Sequence, residues 1–563
     1  MGTSIPAEVL ERTATFGELL RYLRRRAGLT QTELSIAVGY SDAQISRLEQ
    51  NLRLPNTSYV QARFLPALGL KNEPAACQRL LALAAEALRL RADATAASAA
   101  CAPKASIAVL PFVNLSADVD NDYFCDGLAE ELLNALSKLQ QLFVVARASA
   151  FSFRGKDLDV REIGQRLRVD TILEGSVKTS GNRLRVSVRL VHAESGFQVW
   201  AERYDRQMTD LFALQDEIAL AIIAQLKVEL LEKERLALLD RQQGNLEAYN
   251  LYLKGRYYWA QRPQGIAKAI DYFEQAIDKD PRSALARAGL ADCYVTLGSW
   301  ENGTLPPAPA MAKAKAAASR ALELDGRLAE AHATLAYRTT HHDWDWPSAE
   351  AQYQRALELN PNYAMSHHWY SHYLTAMGRT EESYAASKRC LELDPLDLVI
   401  NIHMAWHHQF ARQYEEAVDQ CWKTNELHPN SFWPPYFFAM AYQQLGKVGE
   451  AALEFQKAIQ MSGNVTFTTA GLGHLYASAG KTAEARTIFE ELHERSKHTY
   501  VPAYDLALVC VGLGWTDQAF HWLDKAHEER SGWLTYLKVE PRLDGLRHDV
   551  RFDELLRRVR LIR

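Results

Sequence analysis

The sequence predicts a multidomain, mostly α protein: a small helical bundle, one α/β domain, and a right-handed α-solenoid of repeats. Three observations carry that prediction. Two capping-box patterns flank Gly39, apolar residues alternate between residues 106 and 204, and small, bulky and helix-ending residues recur every 34 positions in the second half. A chain of 563 residues is too long for one core, so several domains are expected. With 48% hydrophobic and 24% charged residues and a net charge of -5, the composition is that of an ordinary globular protein, so any nucleic-acid contact must be local.

The N-terminal region is expected to span residues 1–91, including a trailing helix. In "LTQTELSIAVGYSDAQISRLEQN", Thr30 with Glu33 and Ser41 with Gln44 have capping-box spacing on either side of Gly39. Leu34, Ala37, Ile45 and Leu48 should fill the contact between the two helices, over an earlier helix carrying Phe16, Leu19, Leu20 and Leu23. On "LRRRAGLTQTELSIAVG", "SDAQISRLEQN" and "LP", residues 16–70 resemble the helix-turn-helix domain of the Cro and lambda-repressor superfamily. The resemblance implies that Gln31 touches phosphate and that the helix opened by Ser41 presents Asp42, Ala43, Gln44, Ser46 and Arg47 to the major groove of double-stranded DNA. Arg47 suits guanine and Gln44 adenine, while Arg24, Arg25, Arg26 and Arg53 are candidates for phosphate contacts. Residues 1–70 hold eight Arg, no Lys and six Asp or Glu, a local charge of about +2, and Asp42 departs from the basic or amide residue many members carry there. A bundle that only docks proteins is the competing reading.

An Ala/Ser-rich stretch, residues 92–105, is expected as a linker. From 106 to 248 strands and helices alternate: strands in "SIAVLPFVNL", "LFVVARAS", "TILEGSVKT", "RLRVSVRLV" and "FQVWAERY", helices in "DNDYFCDGLAEELLNALSKL" and "DVREIGQRLRV", and a following helix from residue 211. This unit resembles the TolB-like amino-terminal domain of many bacterial regulators, which implies an adaptor or sensing role. Chemistry is not evident in it. "ASAFSFRGKD" has Ala150 and Asp157 where a phosphate loop needs Gly and Ser or Thr, and "AEE" at 129–131 reads as acidic residues near a helix start.

Residues 249–533 are expected to form about eight helix-turn-helix repeats. Gly378, Arg412, Gly446, Gly480 and Gly514 stand 34 apart, as do Pro361, Pro395 and Pro429, with Ala417, Ala451, Ala485 and Ala519 in phase. That spacing and residue pattern resemble the tetratricopeptide repeat. Small positions let paired helices approach, and Gly or Pro ends them. The first helix of each repeat should turn Tyr337, His341, His368, His372, Trp406, Tyr436, Met440 and His474 toward an inner groove, read as receiving a protein or peptide partner, with ordinary packing of these side chains as the competing reading. His368 and His372, like His403 and His407, have the spacing of two-histidine metal sites, but no further ligands fall in register, so no metal is expected. Residues 534–563 leave the repeat pattern and read as a capping helix.

No catalytic motif, cofactor fingerprint, export signal or membrane span is recognised, and the seven scattered cysteines suit a reducing cytoplasm. The expectation is a cytoplasmic bacterial transcription regulator without enzymatic activity, acting on DNA as a homodimer because one small reader covers few base pairs. The alternative is an assembly scaffold whose bundle does not read DNA.

Overall fold

The computed structural model describes residues 13, 15–40, 42–49, 60–70, 73–98, 105–116, 121–228, 230, 234, 245–299, 306–463 and 465–562. Two compact units divide the chain, residues 1–102 and 103–563. The α/β region and the repeats, expected as separate domains, therefore share one unit.

In the first unit α1 spans Phe16–Arg26, α2 Gln31–Val38, α3 Asp42–Glu49 and α4 Pro74–Ser98, with short helical turns at Val60–Phe64 and Leu65–Ala67 between the last two. Thr15 with Glu18 and Thr30 with Glu33 form reciprocal capping boxes at α1 and α2. The Ser41–Gln44 box lies outside the described residues. Gly39 ends α2 in the left-handed region at φ 71°, a conformation glycine adopts without a Cβ clash. Phe16, Leu19, Leu20, Leu23, Leu34, Ile45 and Leu48 are buried together. Ala37 is exposed and Val38 takes its place, because Val38 lies one helical turn beyond Leu34. α4 continues into the stretch expected as a linker, since alanine is the best helix former.

The second unit begins with a sheet in the order β3-β1-β4-β5-β6, with β2 also on β4: β1 Ala105–Val109, β2 Val113–Asn114, β3 Leu142–Val144, β4 Thr171–Ser180, β5 Arg183–His192 and β6 Gln198–Gln207. β1 pairs in parallel with β3 and β4, and β4, β5 and β6 pair antiparallel. Ser180 faces Arg183, so Gly181, at φ 56°, and Asn182 make a two-residue hairpin turn. Helices Asp122–Ser137 and Leu211–Gln225 bury one face of the sheet.

Eight helix pairs follow among the described residues, from Leu246–Trp259 with Ile266–Lys279 to Ala503–Gly512 with Thr516–Glu528. The turn position of the 34-residue period is left-handed in all five cases, with φ from 61° at Arg412 to 77° at Gly480. Close approach depends on small residues: a Cβ on Gly255 or on Gly289 would lie 2.5 Å from the Phe273 ring, which is inserted between them.

The array curls back on itself. Trp346 in the third pair donates to the Val559 carbonyl near the C-terminus at 3.1 Å, and Trp344 stacks on His527 of the eighth pair at 5.2 Å. Residues 532–546 hold two 3₁₀ turns, Gly532–Tyr536 and Pro541–Leu546, and along this segment Trp533, Leu534, Tyr536, Leu537 and Leu543 are all buried in the core of the repeats. This corrects the expectation of a terminal cap alone: these apolar residues fill the inside of the curve before the final helix, Val550–Arg558.

Candidate functional site

Over the apolar core of the first unit, one polar residue, Glu49 at the end of α3, links the three helices of the helix-turn-helix region. Its side chain is 1% exposed. Arg24 of α1 donates from Nε at 2.5 Å and from Nη2 at 3.0 Å to its two carboxylate oxygens, Gln31 donates at 2.9 Å, and Arg21 donates to the Glu49 carbonyl at 2.8 Å. Burial pushes the carboxyl pKa up, but the hydrogen bonds of Arg24 and Gln31 and the charges of Arg24 and Arg21 hold it below the usual glutamate range. One carboxylate thus ties the C-terminal end of α3 to α1 and to the start of α2, fixing the angle at which α3 is presented. Gly17 allows this: a Cβ there would sit 2.4 Å from the Leu48 carbonyl oxygen.

Several expected DNA contacts have internal work instead. Arg24 is buried on Glu49, Arg26 pairs with Glu73 at 2.5 Å, and the Gln31 amide braces Glu49. For Arg24, which is buried, this corrects the expected phosphate contact; Arg26 is exposed and its pair with Glu73 lies at the surface. Ser46 and Arg47 lie half-buried on α3, whose Ile45 and Leu48 face the core, and Arg25 is exposed. Ser41 and Arg53 lie outside the described residues, as do the side chains of Asp42, Ala43 and Gln44.

The second expected site is assembled but covered. Tyr337, His341, His368, His372, Trp406, Tyr436, Met440 and His474 do converge on the inside of the curve, and all are buried. The correction is that the groove they line is filled by this chain's own C-terminal segment. The Tyr536 hydroxyl lies 2.8 Å from His341 Nε2, its ring meets Trp406 edge-on at 4.7 Å, and Arg542, bonded to Glu540 at 2.7 Å, lies beside the Trp533 ring. Burial pushes His341 and His474 down to about 4 and His368 to about 3, and His372, His403 and His407 well below their ordinary value. These rings are neutral.

Comparison with known proteins bears on the first site directly. Residues 15–76 match a helix-turn-helix domain family. Residues 103–221 match the second domain of HilA/YgeH-like transcriptional regulators. Among whole proteins, the transcriptional regulator HilA of Salmonella typhimurium is 24% identical over 398 residues, 69% of each chain. A putative adenylate cyclase 3 of Rhizobium meliloti is 37% identical over 236 residues, 41% of this chain, and the match spans only 40% of the length of that relative. Among solved structures, YrrB, described as a TPR protein with an unusual peptide-binding site, is 17% identical and covers 34% of this chain and 91% of its own, at a TM-score of 0.25. No helix among the described residues is long and apolar enough to cross a membrane.

A separate cavity of about 720 Å³ opens where the sheet domain meets the first repeats, lined among others by Lys138, Tyr249, Tyr252, Arg256, Arg282 and Tyr363. Arg256 bonds Glu130 at 2.7 Å and approaches Asp292 at 3.5 Å, whose carboxyl burial pushes up to about 6. The acidic run at 129–131 therefore does more than complement a helix dipole. Its helix begins at Asp122, which places Glu130 and Glu131 mid-helix, and Glu130 pairs with Arg147 within the sheet domain and with Arg256 across the junction with the repeats. Sequence spacing held no signal for this cavity, because its walls come from segments more than a hundred residues apart.

Proposed function

We propose that this protein is a DNA-binding transcription regulator whose other modules sense or recruit a partner. The observation that carries the reading is the capped α2, the left-handed Gly39 turn and the Glu49-braced α3, in a segment matching a helix-turn-helix family and followed by a match to a regulator domain. In this reading Arg47, with Ser46 and the residues opening α3 (Ser41, Asp42, Ala43, Gln44), reads base edges, while Gln31 and Arg53 meet phosphate. Gln31 then exchanges its bond to Glu49 for one to DNA. A homodimer in the cytoplasm remains the working form, and the sheet domain, similar to the TolB-like type, serves sensing without catalysis.

The partner site moves with the geometry. Since residues 532–546 occupy the inner curve, we assign an effector to the cavity beside Tyr249, Arg256 and Tyr363, an accessible concave surface among the described residues. The reading is tested by selecting bound duplexes from a random DNA pool with the full-length protein and with Arg47→Ala, at two salt concentrations. One enriched motif, lost in the variant, supports it. Recovery that follows salt alone and ignores Arg47 replaces it with the scaffold reading.

A further inference from the structure

We propose that His368, His372 and His403 form a binding site for one divalent metal ion of the zinc class, set in the core of the repeat array. His368 and His372 stand one turn apart on the helix Ala364–Ala376, and His403 comes from Leu398–Phe410, the first helix of the next repeat. The 34-residue stacking of repeats brings the third ring to the pair. Three ligand nitrogens from two helices lie within 4.8 Å of one another.

The distances fit a shared ion. His403 Nδ1 lies 3.0 Å from His368 Nε2 and 3.3 Å from His372 Nε2. For metal–nitrogen bonds of about 2.0–2.1 Å, tetrahedral ligands stand about 3.3–3.4 Å apart. Hydrogen bonding alone accounts for the cluster poorly. A ring nitrogen offers either one proton or one lone pair, so His403 Nδ1 makes one full hydrogen bond and can reach its second neighbour only by sharing that proton in a weaker three-centre bond. A cation turns both approaches into bonds. It also requires the His368 and His403 rings, whose planes now differ by 9°, to rotate toward a common point.

The surroundings are those of a ligand set. Burial keeps the three rings neutral, with lone pairs available. The second nitrogen of His372, Nδ1, lies 3.4 Å from the Tyr536 hydroxyl, an outer partner of the kind that orients ligating imidazoles. His407 is excluded from the set because hydroxyls already engage both its nitrogens: Ser371 at Nε2, 2.9 Å, and Thr375 and Ser383 at Nδ1, 2.8 and 3.0 Å. A cavity of about 290 Å³ reaches His407 from the surface, past Thr375 and Ser383, and the His407 ring lies 5.7 Å from that of His372. The cavity ends at His407, one ring short of the proposed ligands. Imidazole donors without carboxylate or thiolate favour zinc, cobalt, nickel or copper over calcium or magnesium.

The test is equilibrium dialysis of the full-length protein against zinc, followed by the visible spectrum with cobalt in its place. One zinc per chain is expected, with cobalt bands of tetrahedral type and no thiolate charge-transfer band. His403→Gln and His372→Gln should abolish that stoichiometric site, His407→Gln should keep it, and Tyr536→Phe should weaken it about tenfold. The wild-type measurement stands on its own if a core variant fails to fold. Absence of stoichiometric binding, a thiolate band, or binding that survives in folded His403→Gln overturns the proposal.

Discussion

Replacing Glu49 with glutamine should unfold the first unit at a markedly lower temperature while leaving the second unit where it is. The Arg24 and Glu49 side chains are 10% and 1% exposed, so solvent screens the pair little, and the variant leaves the Arg24 guanidinium buried without its counter-charge. Breaking such a pair costs about 3–5 kcal/mol, and the lower end applies here because a glutamine oxygen still accepts one bond from Arg24. For a domain of this size each kcal/mol moves the midpoint about 4–8 °C, so a drop of about 12–24 °C is expected. Calorimetry of the full-length chain reads this as a shift of one transition. The same pair sets a pH dependence. The carboxyl pKa is lower folded than unfolded, so the stabilisation is present above about pH 4.3 and is lost as pH falls through the folded value, a slope Glu49→Gln should lack. A midpoint shift under about 4 °C would refute the reasoning, because the pair would then be worth no more than an exposed one.

Other substitutions probe the second unit by urea denaturation. Arg412 is left-handed at φ 61° and pairs with Asp544 at 2.8 Å; Arg412→Ala should cost about 0.5–1 kcal/mol by losing the half-exposed pair, while Arg412→Gly should be neutral or stabilising because it relieves about 1–2 kcal/mol of backbone strain. Destabilisation by glycine larger than by alanine would contradict this. Gly289→Ala drives a methyl to 2.5 Å from Phe273 and should cost about 1–3 kcal/mol, whereas no change would mean that the ring has room to move. Asp394, which accepts from the Ser149 amide at 2.8 Å where the sheet domain meets the repeats, is pushed up to about 8 first by burial and then by the Asp397 charge. Its pKa is raised on folding, so its contribution is fully present below about pH 4 and is lost as pH rises through 8. Stability of the second unit should fall across that window, and Asp394→Asn should flatten the decline.

Local rules made much of this fold legible. Gly39 and the Thr30 box mark helix ends through bonds within a few residues, and the 34-residue period exposes each repeat because the same packing problem is solved at each step. What the sequence hid is long-range. Arg24 reads as one of three consecutive exposed arginines, and only the return of Glu49, 25 residues on, turns it inward. The inner-face residues were legible as a face, from Tyr337 to His474, but periodicity says which side of a helix turns inward and not what lies against it. His403 was visible only as half of an i,i+4 pair with His407; its partners come from the preceding repeat instead.

Filling the inner curve has a mechanical consequence for any sensing role. An open solenoid flexes because each repeat touches only its neighbours. Here Tyr536 reaches the third, fourth and fifth pairs through His341, His372 and Trp406, and Asp544 reaches Arg412. Contacts between Trp346 and Val559 and between Trp344 and His527 close the curve. A displacement at one repeat is therefore resisted by several others, and the array behaves as a ring more than as a spring. Ser137, Ser149 and Glu130 fasten the sheet domain to that ring through Asn360, Asp394 and Arg256. The cavity beside Arg256 lies on this junction, lined both by the sheet domain at Lys138 and by repeat helices at Tyr249, Asp292 and Tyr363, which places the proposed effector site where these contacts meet.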